Sequence, residues 1–168
     1  MIVEFHAPWG RGLKLATGFS VTILLLLPVV GFTTGPHQLW VWPAAMIALP
    51  LFILLTALPF MVRGYALTEH TLEIRRLGWT TTLPLAGLVK ASGNVDLLRG
   101  TLRVFGNGGL FSITGWFWNR QVGFYRAYAT DLSRAVFLKY RDRRPVLVTP
   151  HDTQRFLVRI GKLIAMGA

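Results

Sequence analysis

The chain contains no cysteine, few acids and almost no charge in its first third, and each shortage excludes something. Without cysteine there are no disulfides, thiolate metal ligands or cysteine nucleophiles, and the redox compartment stays open. The four histidines, at positions 6, 37, 70 and 151, are too scattered for a metal-binding spacing. Acids number seven against eighteen Lys and Arg, giving a formal net charge of +11. Asp131, Asp142 and Asp152 stand apart, and each has a local role. Asp131 opens a turn, Asp142 balances the basic run at 141–144, and Asp152 serves a helix start. No acid–base pair, metal cluster or cofactor motif emerges, so the sequence predicts a protein that is not an enzyme and carries no cofactor.

What the chain has in abundance is apolar residues, with 52% hydrophobic content and a mean hydropathy of +0.47 over 168 residues. Grease and charge are segregated. Before Arg63, only Glu4, His6, Arg11, Lys14 and His37 can carry charge; from Arg63 onward, sixteen Lys and Arg face six Asp and Glu. Residues 15–32 and 39–62 are uncharged apolar runs about long enough to cross a bilayer, separated by the short turn TTGPHQ. Backbone in hydrocarbon must satisfy its own hydrogen bonds, so both runs read as helices, the second kinked by Pro43, Pro50 and Pro59. Residues 1–62 thus form an N-terminal segment and a two-helix transmembrane hairpin. Arg11 and Lys14 precede it, Arg63, Arg75 and Arg76 follow it, and the turn carries no Lys or Arg. The asymmetry predicts a membrane protein with both termini cytoplasmic, and Trp40 and Trp42 at the outer interface. A cleaved signal peptide fits less well, since no small-x-small site follows Phe32 and a second span comes at once. With no charge at membrane depth, a pump or transporter is disfavoured.

From Arg63 to Ala168 the pattern changes to short alternating strands. RGYALTE, LEIRRLGW, a threonine-rich strand before Pro84 and a strand around Val89 come first; GFYRAYAT, AVFLKYRD and PVLVTP follow, the last two joined through RDRRP. One helix closes the chain. Thr149 reads as its N-cap, with Pro150 first in the helix and Asp152 in the first turn. Phe156, Leu157, Ile160, Leu163 and Ile164 share one helical face, and Arg155, Arg159 and Lys162 another.

Several stretches resemble a known family. YALTEHTLEIRRLGWTTTLPLAGL at 65–88, R-x-F-G-x-G-G at Arg103–Gly109, Tyr128-Ala-Thr-Asp131 and the Thr-Pro-x-Asp helix start are similar to the bacterial pleckstrin-homology (PH)-like domains. The likeness is to the small membrane-anchored group with an N-terminal transmembrane pair. That resemblance implies a bent antiparallel sheet or barrel of about seven strands, capped by a C-terminal helix, in a scaffold role without catalytic residues.

The stretch RVFGNGGLFSITGWFWNRQVG, 103–123, concentrates glycines and aromatics. A dinucleotide fingerprint fails, because Phe111 occupies the third glycine position and no helix pattern follows. A serine-hydrolase elbow fails as well, with Leu110 standing where G-x-S-x-G requires glycine. The remaining reading is turns plus aromatic core, with Phe111, Trp116, Phe117 and Trp118 as a candidate contact loop. Three consecutive rings in a strand cannot all face one core. The positive charge reads as attraction to anionic lipid, with Arg75, Arg76, Arg141, Arg143 and Arg144 as candidate lipid-facing residues, each contributing on the order of 1 kcal/mol near such a surface. Membrane lipids and an unidentified protein partner or self-association are the expected partners; nucleic acid is not, for want of a recognisable binding module. The function these features predict is a membrane-anchored binding or assembly module. The alternatives are a structural subunit of an oligomeric membrane complex or a receptor for anionic head groups.

Overall fold

A computed structural model describes residues 2–36 and 39–166. Strand β1 (Val3–His6) comes first, then helices α1 (Arg11–Thr34) and α2 (Val41–Ala57), the latter running into a 3-10 turn at Leu58–Phe60. Nine strands follow: β2 (Val62–Leu67), β3 (Thr71–Arg76), β4 (Thr80–Pro84), β5 (Leu88–Ser92), β6 (Leu102–Gly108), β7 (Ile113–Asn119), β8 (Gly123–Ala129), β9 (Val136–Tyr140) and β10 (Val146–Val148). Helix α3 (Thr153–Ala165) ends the described chain.

The two N-terminal helices form where the apolar runs lie, and they pair side by side. Gly31 makes room for Met46, and Trp42 Nε1 donates to the Gly31 carbonyl at 2.9 Å, satisfying an acceptor near the end of α1. Thr56 Oγ1 returns a bond to the Phe52 carbonyl at 2.7 Å, hiding another polar group within its own helix. α1, and α2 together with its 3-10 turn (Val41–Phe60), are each long and apolar enough to cross a membrane, and nearly all of each lies uncovered by the protein. Of the expected connection between them, His37 and Gln38 lie outside the described residues. Pro50 alone sits inside α2; Pro43 falls in its first turn and Pro59 in the 3-10 turn, where a missing N–H costs little.

The strands form two sheets, ordered β1-β2-β3-β4 and β5-β9-β10-β8-β7-β6, and they do not close into a barrel. There are ten strands among the described residues rather than about seven, and one pairing is parallel: β10 inserts between β9 and β8, antiparallel to the first and parallel to the second. The added strands have identifiable sources. The stretch 103–123 contains a β-hairpin, β6 and β7, and β1 precedes the helices altogether. Val3, Glu4, Phe5 and His6 pair with Leu67, Ala66, Tyr65 and Gly64 of β2. The helical hairpin therefore lies between two paired strands, and β1 joins the first sheet from ahead of it.

The main core lies between the two sheets, with α3 plugging one end against β5. Tyr65, Leu72, Ile74, Tyr128, Val136, Leu138, Val148, Phe156 and Ile160 are buried there, and Phe5 meets Phe156 edge to face at 5.2 Å. Strand alternation sends Phe117, Tyr125, Ala127, Phe137 and Leu147 to the opposite face of the second sheet, where they form a smaller cluster with Leu97 and Leu98. Tyr65 joins the sheets through polar bonds. Its Oη donates to the Tyr128 carbonyl at 2.5 Å and accepts from the Thr149 amide at 3.1 Å.

The start of α3 differs from expectation. Asp152, not Thr149, is the N-cap, accepting from the Arg155 amide at 2.9 Å, so the helix begins at Thr153 and Pro150 stands outside it. Thr149 is buried and used elsewhere, its Oγ1 accepting from the Thr130 amide at 2.9 Å. A hydroxyl can satisfy any nearby orphan donor, and the sequence does not reveal which is nearest.

Candidate functional site

The expected contact stretch is divided by its strand geometry. Residues 109–112 form the turn between β6 and β7, shaped by Asn107, whose Oδ1 accepts from the amides of Gly109 and Leu110 at 3.1 and 2.8 Å. Phe111 takes φ of +66°, and is the non-glycine residue with positive φ among those described. This turn grips the root of the helical hairpin from both sides. Thr17 of α1 donates through Oγ1 to the Gly109 carbonyl at 2.8 Å and accepts from the Phe111 amide at 3.1 Å. Ser112 Oγ donates to the Phe60 carbonyl at the foot of α2, at 3.1 Å. The Phe111 ring faces Trp9 at 6.3 Å. Phe111 thus contacts the protein's own hairpin.

In β7, Phe117 is 7% exposed and stacks on Tyr125 at 5.9 Å within the smaller cluster, so it is core rather than contact surface. Trp116 and Trp118 alternate to the other face and are half-buried. That other face looks toward the first sheet. Along β8 it carries Phe124, Arg126 and Tyr128, and the register sets Trp116 opposite Arg126. Tyr128 is covered by the core, whereas Arg126 and Phe124 are exposed. The inner face of the second sheet therefore runs on past the first sheet's cover.

The uncovered part forms a cleft of about 480 Å³ between β3, β6, β7 and β8 and the foot of α2. Ile53, Thr56, Ala57 and Phe60 form its helical wall, and Phe105 and Trp116 an aromatic one. Its floor is a pair of glycines, Gly106 and Gly115, directly opposite one another in the β6–β7 register. Arg76 and Arg126 project into it beside Tyr128.

Cations and rings alternate around this cleft. The Arg76 guanidinium carbon lies 4.9 Å from the Tyr128 ring centre and 5.2 Å from that of Trp79. Arg126 lies 5.2 Å from Tyr128 and 5.6 Å from Trp116. Arg144 lies 5.3 Å from both Trp116 and Phe124. Such contacts contribute roughly 0.5–2 kcal/mol each and hold long side chains in place. No carboxylate pairs with Arg76 or Arg126 among the described residues; the ion pairs there are Arg75–Glu4, Arg99–Asp96 and Arg134–Asp131. Two polar atoms at the cleft are buried without a well-formed hydrogen bond, Arg76 Nε and Tyr128 Oη; the polar contact between these two side chains falls short of one. Burial lowers the Arg76 pKa, and the Arg126 charge nearby lowers it further against the opposing effect of Tyr128. Burial raises the Tyr128 pKa, partly offset by the two arginines.

Of the five arginines expected to face lipid, the fold brings Arg76 and Arg144 to this aromatic ladder. Arg75 is bound instead to Glu4 of β1 at 2.8 Å, a half-exposed pair contributing at most about 1 kcal/mol. Arg141 and Arg143 are exposed in the β9–β10 turn, with Arg143 over the Tyr140 ring at 4.9 Å. Arg126, Tyr128 and Phe105 were not among the predicted residues. Their signal was present in GFYRAYA: Tyr125, Ala127 and Ala129 make one apolar face, which leaves Phe124, Arg126 and Tyr128 together on the other. No group of His, Asp or Glu among the described residues could hold a metal ion.

The family model of the bacterial PH domain matches residues 63–164, more than half of the chain. The chain belongs to the bacterial PH domain family. No curated protein and no solved structure matches it. The two open sheets and α3 are this PH domain's version of the fold, and PH domains generally serve as non-catalytic modules that bind lipids or proteins. The family match starts at the second strand of the first sheet; β1 is supplied from the far side of the helical hairpin.

Proposed function

We propose that this protein is a membrane-anchored, non-enzymatic PH binding or assembly module, held by its helical hairpin on the cytoplasmic face of the bacterial inner membrane. The observation that carries the reading is the hairpin itself. Two long apolar helices stand almost uncovered by the rest of the chain, with Leu25, Leu26, Leu51, Phe52 and Leu55 all exposed. An apolar surface of that extent calls for lipid around it. The pairing of β1 with β2 supports an even number of crossings, since strands that share a sheet must lie in one compartment. The absence of Lys and Arg from the connection and their surplus beyond Arg63 favour the cytoplasm for that compartment.

In this orientation the cleft, with Arg76 and Arg126, lies at the root of the hairpin, where anionic head groups concentrate. Reporter fusions test the topology. A reporter inserted in the 33–38 connection and one fused to the C-terminus should be active in opposite compartments, the C-terminal one in the cytoplasm. A periplasmic signal from the C-terminal fusion overturns the reading.

A further inference from the structure

We propose that the cleft at the root of the hairpin holds one anionic phospholipid, its phosphate between Arg76 and Arg126 and an acyl chain along the foot of α2. The proposal rests on the reading that the hairpin lies in a membrane, and it adds a site of defined stoichiometry to a general surface attraction.

Three features point to this occupant. The first is unbalanced charge. Arg76 and Arg126 flank the Tyr128 ring at 4.9 and 5.2 Å, and neither meets a carboxylate among the described residues. Two cations held together beside apolar walls repel one another, and an anion between them removes that repulsion while forming charge-assisted hydrogen bonds. The second is unmet hydrogen bonding. Tyr128 is 1% exposed, yet its Oη makes no well-formed hydrogen bond, only a loose polar contact with the Arg76 side chain, and Arg76 Nε is likewise buried without one. Buried donors left this way are costly, and a phosphate ester presents several acceptor oxygens to them. The third is the apolar wall. The same cleft is bounded by Ile53, Thr56 and Ala57, on a helix whose neighbouring Phe52 and Leu55 are exposed. Head-group and hydrocarbon environments are thereby continuous, as an amphiphile needs and a soluble anion does not.

The volume of about 480 Å³ lies within the range of ordinary ligand pockets, roughly 300–1,000 Å³. Gly106 and Gly115 leave the floor without side chains, so a ligand can approach the backbone there. The aromatic ladder holds the arginines ready, which limits the entropy lost on binding.

The test uses the full chain, purified in a neutral detergent and offered equal concentrations of dioleoyl phosphatidylglycerol and dioleoyl phosphatidylcholine. Native mass spectrometry should show one phosphatidylglycerol retained per chain. The double variant Arg76→Gln/Arg126→Gln should retain at least tenfold less, while the charge-matched Arg155→Gln/Lys162→Gln on α3 retains as much as the parent. Ala57→Trp, which leaves both arginines in place but fills the acyl path, should also lose the lipid. Near-ultraviolet circular dichroism verifies that each variant is folded.

Equal retention of the two lipids, undiminished retention by the double variant, or displacement of the lipid by millimolar inorganic phosphate would each overturn the proposal. Membrane fractionation of the same cells separates the two failures. Loss of the chain from the membrane fraction defeats the anchoring reading, whereas a membrane-embedded chain that retains no lipid defeats only the site.

Discussion

At the level of single residues, Tyr65 shows how one polar atom can connect two sheets. Its ring is buried in the core, while its hydroxyl bridges the Tyr128 carbonyl and the Thr149 amide. Burial pushes its pKa up to about 12 from 10, against the opposing effect of the bonds to Thr149. The folded state therefore holds the phenolic proton more tightly than the unfolded state does. The corresponding stability is complete below pH 10 and is lost as pH rises from 10 through about 12. Tyr125, Tyr128 and Tyr140, all raised by burial, steepen the same alkaline decline. Tyr65→Phe should cost roughly 1–3 kcal/mol at neutral pH by leaving the Thr149 N–H unsatisfied. It should also make the decline above pH 10 shallower. Denaturant unfolding of the full chain in detergent, at pH 8 and pH 11.5, measures both effects. An alkaline loss identical to the parent's would remove Tyr65 as its source.

Among the elements, the β6–β7 hairpin explains the glycine-rich stretch. Gly106 and Gly115 have φ of +115° and +141°, and their backbones approach so closely that a Cβ on Gly115 would sit 2.2 Å from the Phe105 carbonyl oxygen. Backbone cannot yield as a side chain can. Gly115→Ala should part the two strands and cost more than about 2 kcal/mol, taking the floor of the cleft with it. Gly123, with φ of +77° and nothing within 4 Å of an added Cβ, should accept Asn at little cost. Thermal unfolding of the two variants makes the comparison, and equal stability would show that the close approach is not needed. Alternation in the sequence required that Trp116, Phe117 and Trp118 be divided between two faces, and they are. It did not say which face each would take, because that depends on which sheet covers β7. The core role of Phe117 and the hairpin contact of Phe111 follow from that cover.

For the whole molecule, the consequential feature is that the helices interrupt a sheet. β1 and β2 pair across some fifty-five intervening residues, from His6 to Val62, and Phe5 contributes directly to the main core. A fragment beginning at Arg63 lacks Phe5 and leaves one edge of β2 unpaired. Such an exposed edge invites aggregation. A variant in which a short Asn-Gly linker replaces the hairpin, joining Pro8 to Val62, restores that strand and should be soluble and monomeric. The 63–168 fragment should be less stable and prone to aggregate. Size-exclusion chromatography and thermal unfolding compare them, and a well-folded, monomeric 63–168 fragment would show β1 to be dispensable. Two connections to the hairpin, one from β1 and one through Phe60, also hold the PH domain more closely than one tether would.

The two apolar helices, the strand-rich remainder, the closing helix and the family resemblance were all legible in the chain before folding. Each is written in local periodicity or in contiguous motifs, which need no knowledge of distant neighbours. Membership of Val3–His6 in the sheet was not, since four residues carry too little pattern to reveal a partner beyond the hairpin. Nor was the meeting of Arg76, Arg126, Tyr128 and the foot of α2, which come from separate stretches of chain. Folding also divided the arginines, pairing Arg75 with Glu4 and directing Arg76 to the cleft. Neighbouring residues in a strand face opposite ways, and what each then meets is fixed by packing that no local stretch encodes.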